Sequence, residues 1–145
     1  ALKKVLKKIL ILRFNIIHFI FMESKEEEKA NLKVEFEIEI QDFVIIYKIK
    51  GKITSDIDFE DIEKEVFNNI NKNYFRIIFN LDELTHTNSS GISFFMRTLT
   101  KSRIMGGELI LCNVKGNVDK IFKIAKLDEI YTIYNNLEES IKHFN

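Results

Sequence analysis

From residue 32 onward, hydrophobic and polar positions follow a regular pattern. Val34, Phe36, Ile38 and Ile40 are separated by Glu35, Glu37 and Glu39. A period of two predicts a strand with one buried face and one wet face. Gln41-Asp42 is a short polar break, and residues 43–49 predict a second strand that pairs with the first as a hairpin. Gly51 closes it. Residues 54–58 form a polar turn able to cap a helix, and Phe59, Ile62, Val66, Phe67 and Ile70 then recur at helical spacing as far as Asn71. The run 75–81, apolar after Arg76, predicts a central strand buried on both faces.

The second half continues the alternation. A helix follows Asn88-Ser89-Ser90-Gly91, with Ile92, Phe95, Met96 and Leu99 as its apolar stripe. Gly106-Gly107 supplies the left-handed conformations that end it. Residues 109–112 predict a buried strand. Asn117 is placed to cap a third helix whose apolar face is Val118, Ile121, Phe122 and Ala125. Residues 130–134 predict a last short strand, and residues 137–144 a closing helix. Two strands followed by strictly alternating helix and strand define an α/β domain. It has a mixed sheet of about five strands opened by a hairpin, with about four helices and right-handed crossovers between parallel strands. The pattern leaves the strand order open.

The first 22 residues differ from the rest. They carry Lys3, Lys4, Lys7, Lys8 and Arg13 with no acid, then run apolar from Ile9 to Phe21, broken by Arg13, Asn15 and His18. A membrane-spanning helix needs roughly 18 nearly uninterrupted apolar residues, more than this segment offers. A signal peptide needs a small-residue cleavage site, and Met22-Glu23-Ser24-Lys25 has none. The segment is either an extension with no part in the fold, Met22 being the natural start, or an amphipathic membrane-surface helix, or a targeting signal. Residues 25–29 read as a solvated charged linker. The expected organisation is an extension and linker over residues 1–31 and one domain over residues 32–145.

Composition narrows the function classes. The chain has 145 residues, 46% hydrophobic and 30% charged, as a soluble globular domain does, and a formal net charge of zero. No basic field favours nucleic acid. A lone Cys112 excludes an intramolecular disulfide and a cysteine-rich metal site. His18 and His143 stand alone without metal-ligand spacing, so no cofactor or metal is expected. Gly106-Gly107 is a turn and not a phosphate loop, because no Lys-Ser/Thr follows. His86 lies three residues before Ser89 and invites a catalytic pairing. It is expected in a loop, with neither a Gly-x-Ser-x-Gly elbow nor a placed acid, so an enzyme is the least favoured reading.

One stretch carries a resemblance. Asn80-Leu81-Asp82-Glu83-Leu84-Thr85-His86-Thr87-Asn88-Ser89-Ser90-Gly91-Ile92 resembles the signature of the STAS domain, shared by sulphate transporters and anti-sigma factor antagonists. In that family a buried strand ends in Asp-Leu or Asn-Leu, and a short loop leads to Asp-Ser-Ser-Gly-Leu at a helix start. Gly106-Gly107-Glu108-Leu109-Ile110-Leu111-Cys112-Asn113-Val114 is similar to the family's Gly-Gly-Glu strand, and Gly51 to the glycine ending its second strand. The likeness covers residues 32–144. The family's antagonists bind an anti-sigma factor that is usually also a serine kinase with a histidine-kinase-like ATPase fold. That kinase phosphorylates the first serine of the motif, and a serine phosphatase reverses the step. The resemblance therefore implies a cytoplasmic switch phosphorylated on Ser89. ATP and magnesium belong to the kinase. The implied partner-binding residues are Thr54, Asp56, Thr87, Asn88, Ser89, Ser90, Gly91 and Ile92. Two positions depart from the pattern. Asn88 stands where the antagonists usually have Asp, and Thr54 stands where an acid often follows the second-strand glycine, with Asp56 or Asp58 available in its place.

The chemistry of that stretch suits a switch on its own terms. A serine at an exposed helix N-terminus serves as a cap, and the same end tolerates anions because free amides and the helix dipole point outward. A phosphoryl group adds about −1.5 to −2 charge at neutral pH. Such a group leaves the fold intact and alters a surface docked over it, with Gly91 admitting the partner's backbone. The alternative is a STAS adaptor of a membrane-associated or stress-signalling assembly without sigma-factor chemistry, with membrane contact only if the N-terminal segment is native.

Overall fold

The computed structural model describes residues 1–9, 13, 15–17 and 34–145. The chain divides into two units, Ala1–Leu32 and Lys33–Asn145. In the first unit residues 2–9, 13 and 15–17 are helical. Leu2, Val5, Leu6 and Ile9 lie exposed at the spacing of one helical face. No helix among the described residues is long and apolar enough to cross a membrane. The charged linker and the start expected at Met22 lie outside the described residues.

The second unit is an α/β fold around one five-stranded sheet, its strands adjacent in chain order. β1 (Glu35–Gln41) and β2 (Val44–Lys52) form the expected hairpin, antiparallel with Glu35 opposite Lys50 and Gln41 opposite Val44. Asp42 makes the turn at φ +54, a left-handed conformation that Asp tolerates. β3 (Arg76–His86), β4 (Glu108–Cys112) and β5 (Thr132–Tyr134) follow in parallel. The crossovers hold α1 (Glu60–Asn71, entered through a 3-10 turn, Asp56–Phe59), α2 (Ser89–Ile104) and α3 (Gly116–Ile124). α4 (Leu137–His143) closes the chain, capped by Asn136, whose side chain accepts from the Glu139 amide at 2.9 Å.

The strand pleat sorts the core into two layers. Ile45, Tyr47, Ile49, Ile77, Phe79, Leu109 and Leu111 point to one face, where Ile62, Val66, Ile70, Phe94, Phe95, Leu99 and Phe122 of the helices cover them. Val44, Ile46, Ile78, Ile110 and Cys112 point to the other face, where Tyr134, Leu137, Ile141 and Phe144 pack. The central strands are therefore apolar on both sides, as their uninterrupted runs require. The β1 alternation is only partly filled. Val34 is buried, but Ile38 and Ile40 are 40% and 49% exposed, because an edge strand lies at the margin of the helical cover.

Three expectations change. α2 buries Phe94 as well as Phe95, and leaves Ile92 and Met96 half-buried. Phe94 stacks on Phe59 at 5.1 Å between ring centres and on Phe79 at 5.6 Å, so it is the residue that seats α2 on both the sheet and the 3-10 turn. Gly106 takes φ +88 as expected, but Gly107 does not share that conformation. It is a glycine because the Phe75 carbonyl occupies the place of a Cβ. Asn117 is not the cap of α3. Lys115 is the N-cap, and Asn117 sits inside the first turn, where its Nδ2 meets His86 Nε2 at 3.2 Å.

Candidate functional site

The start of α2 follows from its local chemistry. Asn88 is the N-cap, extended at φ −140 and ψ −170, and its Oδ1 accepts from the amides of Ser90 at 3.1 Å and Gly91 at 3.2 Å. These first-turn amides have no helical carbonyl to bond. The other half of the same carboxamide reaches out of the helix, and Nδ2 donates to the Thr54 carbonyl at 2.7 Å. The two contacts fix the orientation of the amide, since backbone N–H groups need an acceptor and a carbonyl needs a donor.

The loop held by that bond is ordered by its own acid. Asp58 Oδ2 accepts from the Thr54 amide at 2.7 Å, the Thr54 hydroxyl at 2.9 Å and the Ser55 amide at 2.8 Å. Ser55 caps the 3-10 turn, and Asp58 three residues on closes a capping box. Burial acts to raise the Asp58 carboxyl, but the hydrogen bonds from Thr54 and Ser55 outweigh it and hold it below the usual carboxylate range.

The candidate residues divide by exposure. Ser89, the first residue of α2, is exposed, as are Thr54 and Asp56, while Asn88, Ser90 and Ile92 are half-buried. Thr87 and Gly91 are buried. A Cβ on Gly91 would run into Thr87 Oγ1 and come within 3.0 Å of Ile53 Cγ2. The glycine therefore serves packing inside the domain, which corrects the expectation that it admits a partner's backbone. Thr87 is enclosed in the same contact, its hydroxyl without a hydrogen-bond partner among the described residues.

His86 is not in a loop. β3 continues past Asn80 through shifts in register, which pair Lys50 with Glu83 and Lys52 with His86, and the His86 carbonyl accepts from the Ile53 amide at 2.9 Å. Its ring nitrogens meet Thr85 Oγ1 at 3.0 Å and Asn117 Nδ2 at 3.2 Å, so among the described residues its hydrogen bonds run to neutral neighbours. Among the described residues no group of three His, Cys, Asp or Glu side chains is placed to hold a metal ion. Burial pushes the Cys112 thiol up to about 11, with Ser140 opposing and Asp82 adding to the shift. The thiol is therefore an inert part of the core.

Sequence reading missed two features of this region. The Ser55-x-x-Asp58 box was legible as a helix-entry signal. Ile57, 78% exposed between two aspartates, had no signal beyond an apolar residue in a polar turn.

A five-stranded mixed sheet, with an exposed serine at the tip of the helix that follows its central strand, defines the class. The STAS domain family profile matches residues 35–140, and the chain belongs to that family. BtrV of Bordetella bronchiseptica, assigned as an anti-sigma factor antagonist, is 26% identical over 103 residues, which is 71% of this chain and 88% of BtrV. Among solved structures, TM1081 of Thermotoga maritima, also assigned as an anti-sigma factor antagonist, is 24% identical. It superposes with a TM-score of 0.69 over 74% of this chain and 92% of its own. The anti-sigma factor antagonist SpoIIAA, a Bacillus cell fate determinant, is 21% identical in its unphosphorylated form. Its TM-score is 0.66, over 76% of this chain and 96% of its own.

Proposed function

We propose that this protein is a cytoplasmic anti-sigma factor antagonist, a binding protein and not an enzyme. In this reading residues 32–145 dock on an anti-sigma factor that is also a serine kinase with a histidine-kinase-like ATPase fold. Phosphorylation of Ser89 weakens that docking, and a serine phosphatase restores it. The observation that carries the reading is the exposure of Ser89 at the first position of a 16-residue helix whose tip is already capped by its neighbour. A dianion there sits where the helix dipole favours it, so the modification changes the surface and spares the fold. SpoIIAA has been solved in phosphorylated and unphosphorylated forms, which supports a phosphorylation switch on this fold. Thr54, Asp56, Asn88, Ser89, Ser90 and Ile92 supply the contact surface, with Thr87 and Gly91 supporting it from beneath. Purified anti-sigma kinase with ATP and magnesium should add one phosphate, mapped by mass spectrometry to Ser89, and Ser89→Ala should abolish it. A label that persists in the alanine variant places the switch elsewhere.

The adaptor reading draws on a separate observation, the helix at residues 2–9 with exposed Leu2, Val5, Leu6 and Ile9 and four lysines on its other positions. It predicts that Ser89→Asp leaves partner binding unchanged and that the full chain co-purifies with membrane components.

A further inference from the structure

We propose that Asn88 is a positioning residue that fastens the turn carrying Ile57 to the tip of α2, so that turn and helix present one docking surface. The consequence for binding rests on the function proposed above, whereas the clamp itself rests on geometry alone.

A carboxamide has an acceptor side and a donor side, and Asn88 uses both. Oδ1 holds the amides of Ser90 and Gly91, and Nδ2 holds the Thr54 carbonyl across a gap of 34 residues in sequence. An aspartate at this position would cap the helix as well as asparagine does. It offers only acceptors, however, so the Thr54 carbonyl would face a carboxylate oxygen and lose its donor. Asparagine can therefore make both contacts at once, which aspartate cannot. The tether acts on the whole turn, because the Asp58 carboxylate already gathers Thr54 and Ser55 into one hydrogen-bonded unit. Ile57 rides on that unit, 78% exposed, in a shallow groove it shares with Phe59, Glu63 and Arg97. An exposed apolar side chain on a turn tethered to the N-cap of α2 is suited to cover by a docking partner.

The test uses the full chain as wild type, Asn88→Asp and Asn88→Ser, with backbone amide hydrogen exchange read residue by residue. Both variants keep an oxygen to cap α2 and remove the amide that reaches Thr54. The amides of Thr54, Ser55 and Asp58 should exchange at least about tenfold faster in both variants, the loss of one hydrogen bond. Those of Ser90 and Gly91 should stay as protected as in wild type. Unchanged exchange at residues 54–58 in Asn88→Asp overturns the proposal. So does equal loosening of turn and helix tip, which would reduce Asn88 to a cap. Affinity for the anti-sigma factor should fall about tenfold in Asn88→Asp, close to 1.4 kcal/mol. A wild-type chain that fails to bind that partner sinks the proposed function and leaves the exchange result to judge the clamp.

Discussion

Asn69 Nδ2 donates to the hydroxyl of Tyr47 at 2.9 Å, a buried bond that ties α1 to β2 across 22 residues of sequence. Burial pushes the Tyr47 phenol up to about 12, with the Asn69 bond opposing. The two partners are not equivalent. Asn69 keeps a second acceptor, Glu65 Oε1 at 3.3 Å, if the hydroxyl is removed. Tyr47→Phe also keeps the edge-on ring contact with Phe79 at 5.7 Å. Its cost should be about 1 kcal/mol, the net worth of one hydrogen bond. Asn69→Leu leaves a buried hydroxyl without its donor and should cost more, about 2–3 kcal/mol. Urea unfolding of the two variants gives the order directly, and Tyr47→Phe as the more damaging change contradicts the account.

Three glycines should respond differently to alanine because different atoms oppose the new methyl group. At Gly107 the obstacle is the Phe75 carbonyl, which is backbone and also accepts from the Glu108 amide at 3.0 Å. At Gly91 it is the Thr87 and Ile53 side chains and not backbone. At Gly106 nothing stands within 4 Å, and only φ +88 resists. Gly107→Ala should therefore be the most destabilising, at the upper end of or above the roughly 1–3 kcal/mol of overpacking. Gly91→Ala should fall near 1–3 kcal/mol by overpacking, and Gly106→Ala near 1 kcal/mol from backbone strain. Thermal unfolding of the three variants ranks them, and Gly106→Ala as the worst of the set would show that backbone angle outweighs collision here.

Much of this molecule was legible in the sequence because its signals are local. The two-residue alternation of β1, the apolar runs of β3 and β4 and the helical spacing of α1 each mark an element without knowledge of its neighbours. The Asn-Ser-Ser-Gly start of α2 marked the candidate site. What stayed hidden depends on contacts distant in sequence. Alternation placed Ile38 and Ile40 on the inner face, but only the position of β1 at the sheet edge shows that the cover stops short of them. β3 runs on to His86 because β2 is there to pair with it. The bond from Asn88 to Thr54 joins residues with nothing between them in sequence to suggest it.

The acid that orders the turn gives the domain a pH dependence with a definite sign. An unfolded Asp titrates near about 3.9, and Asp58 in the fold titrates lower. Its contribution is thus fully present above about pH 4 and drains away as pH falls through the lower folded value. Asp82, lowered mainly by its hydrogen bond from Lys115, and Glu37, lowered mainly by Lys50, act in the same direction. Asp58→Asn should be less stable than wild type at pH 7, and the two stability curves should converge in acid, with the variant the flatter. Urea midpoints measured from neutral pH down into the acid range test this. Parallel curves would mean that Asp58 titrates alike in both states.

The proposed switch makes two demands that pull apart under one substitution. Ser89→Asp puts a permanent negative charge at the first position of α2, where the dipole contributes about 0.3–1 kcal/mol in its favour. Ser89 is exposed, so a carboxylate there can stay in solvent. Stability should therefore stay within about 0.5 kcal/mol of wild type, as for most surface changes. Binding should not stay the same, because a partner that covers the helix tip must strip water from the charge or face it at close range. The affinity for the anti-sigma factor should drop at least tenfold, within the usual range of such coupling. Ser90→Asp separates charge from position. Ser90 is half-buried and its amide is already taken by Asn88, so the same charge one residue later should destabilise the domain itself. Equal affinities for wild type and Ser89→Asp, with both proteins folded, would favour the adaptor reading over the switch. A Ser89→Asp protein that unfolds would mean that the hydroxyl supports the fold and is not a free site for modification.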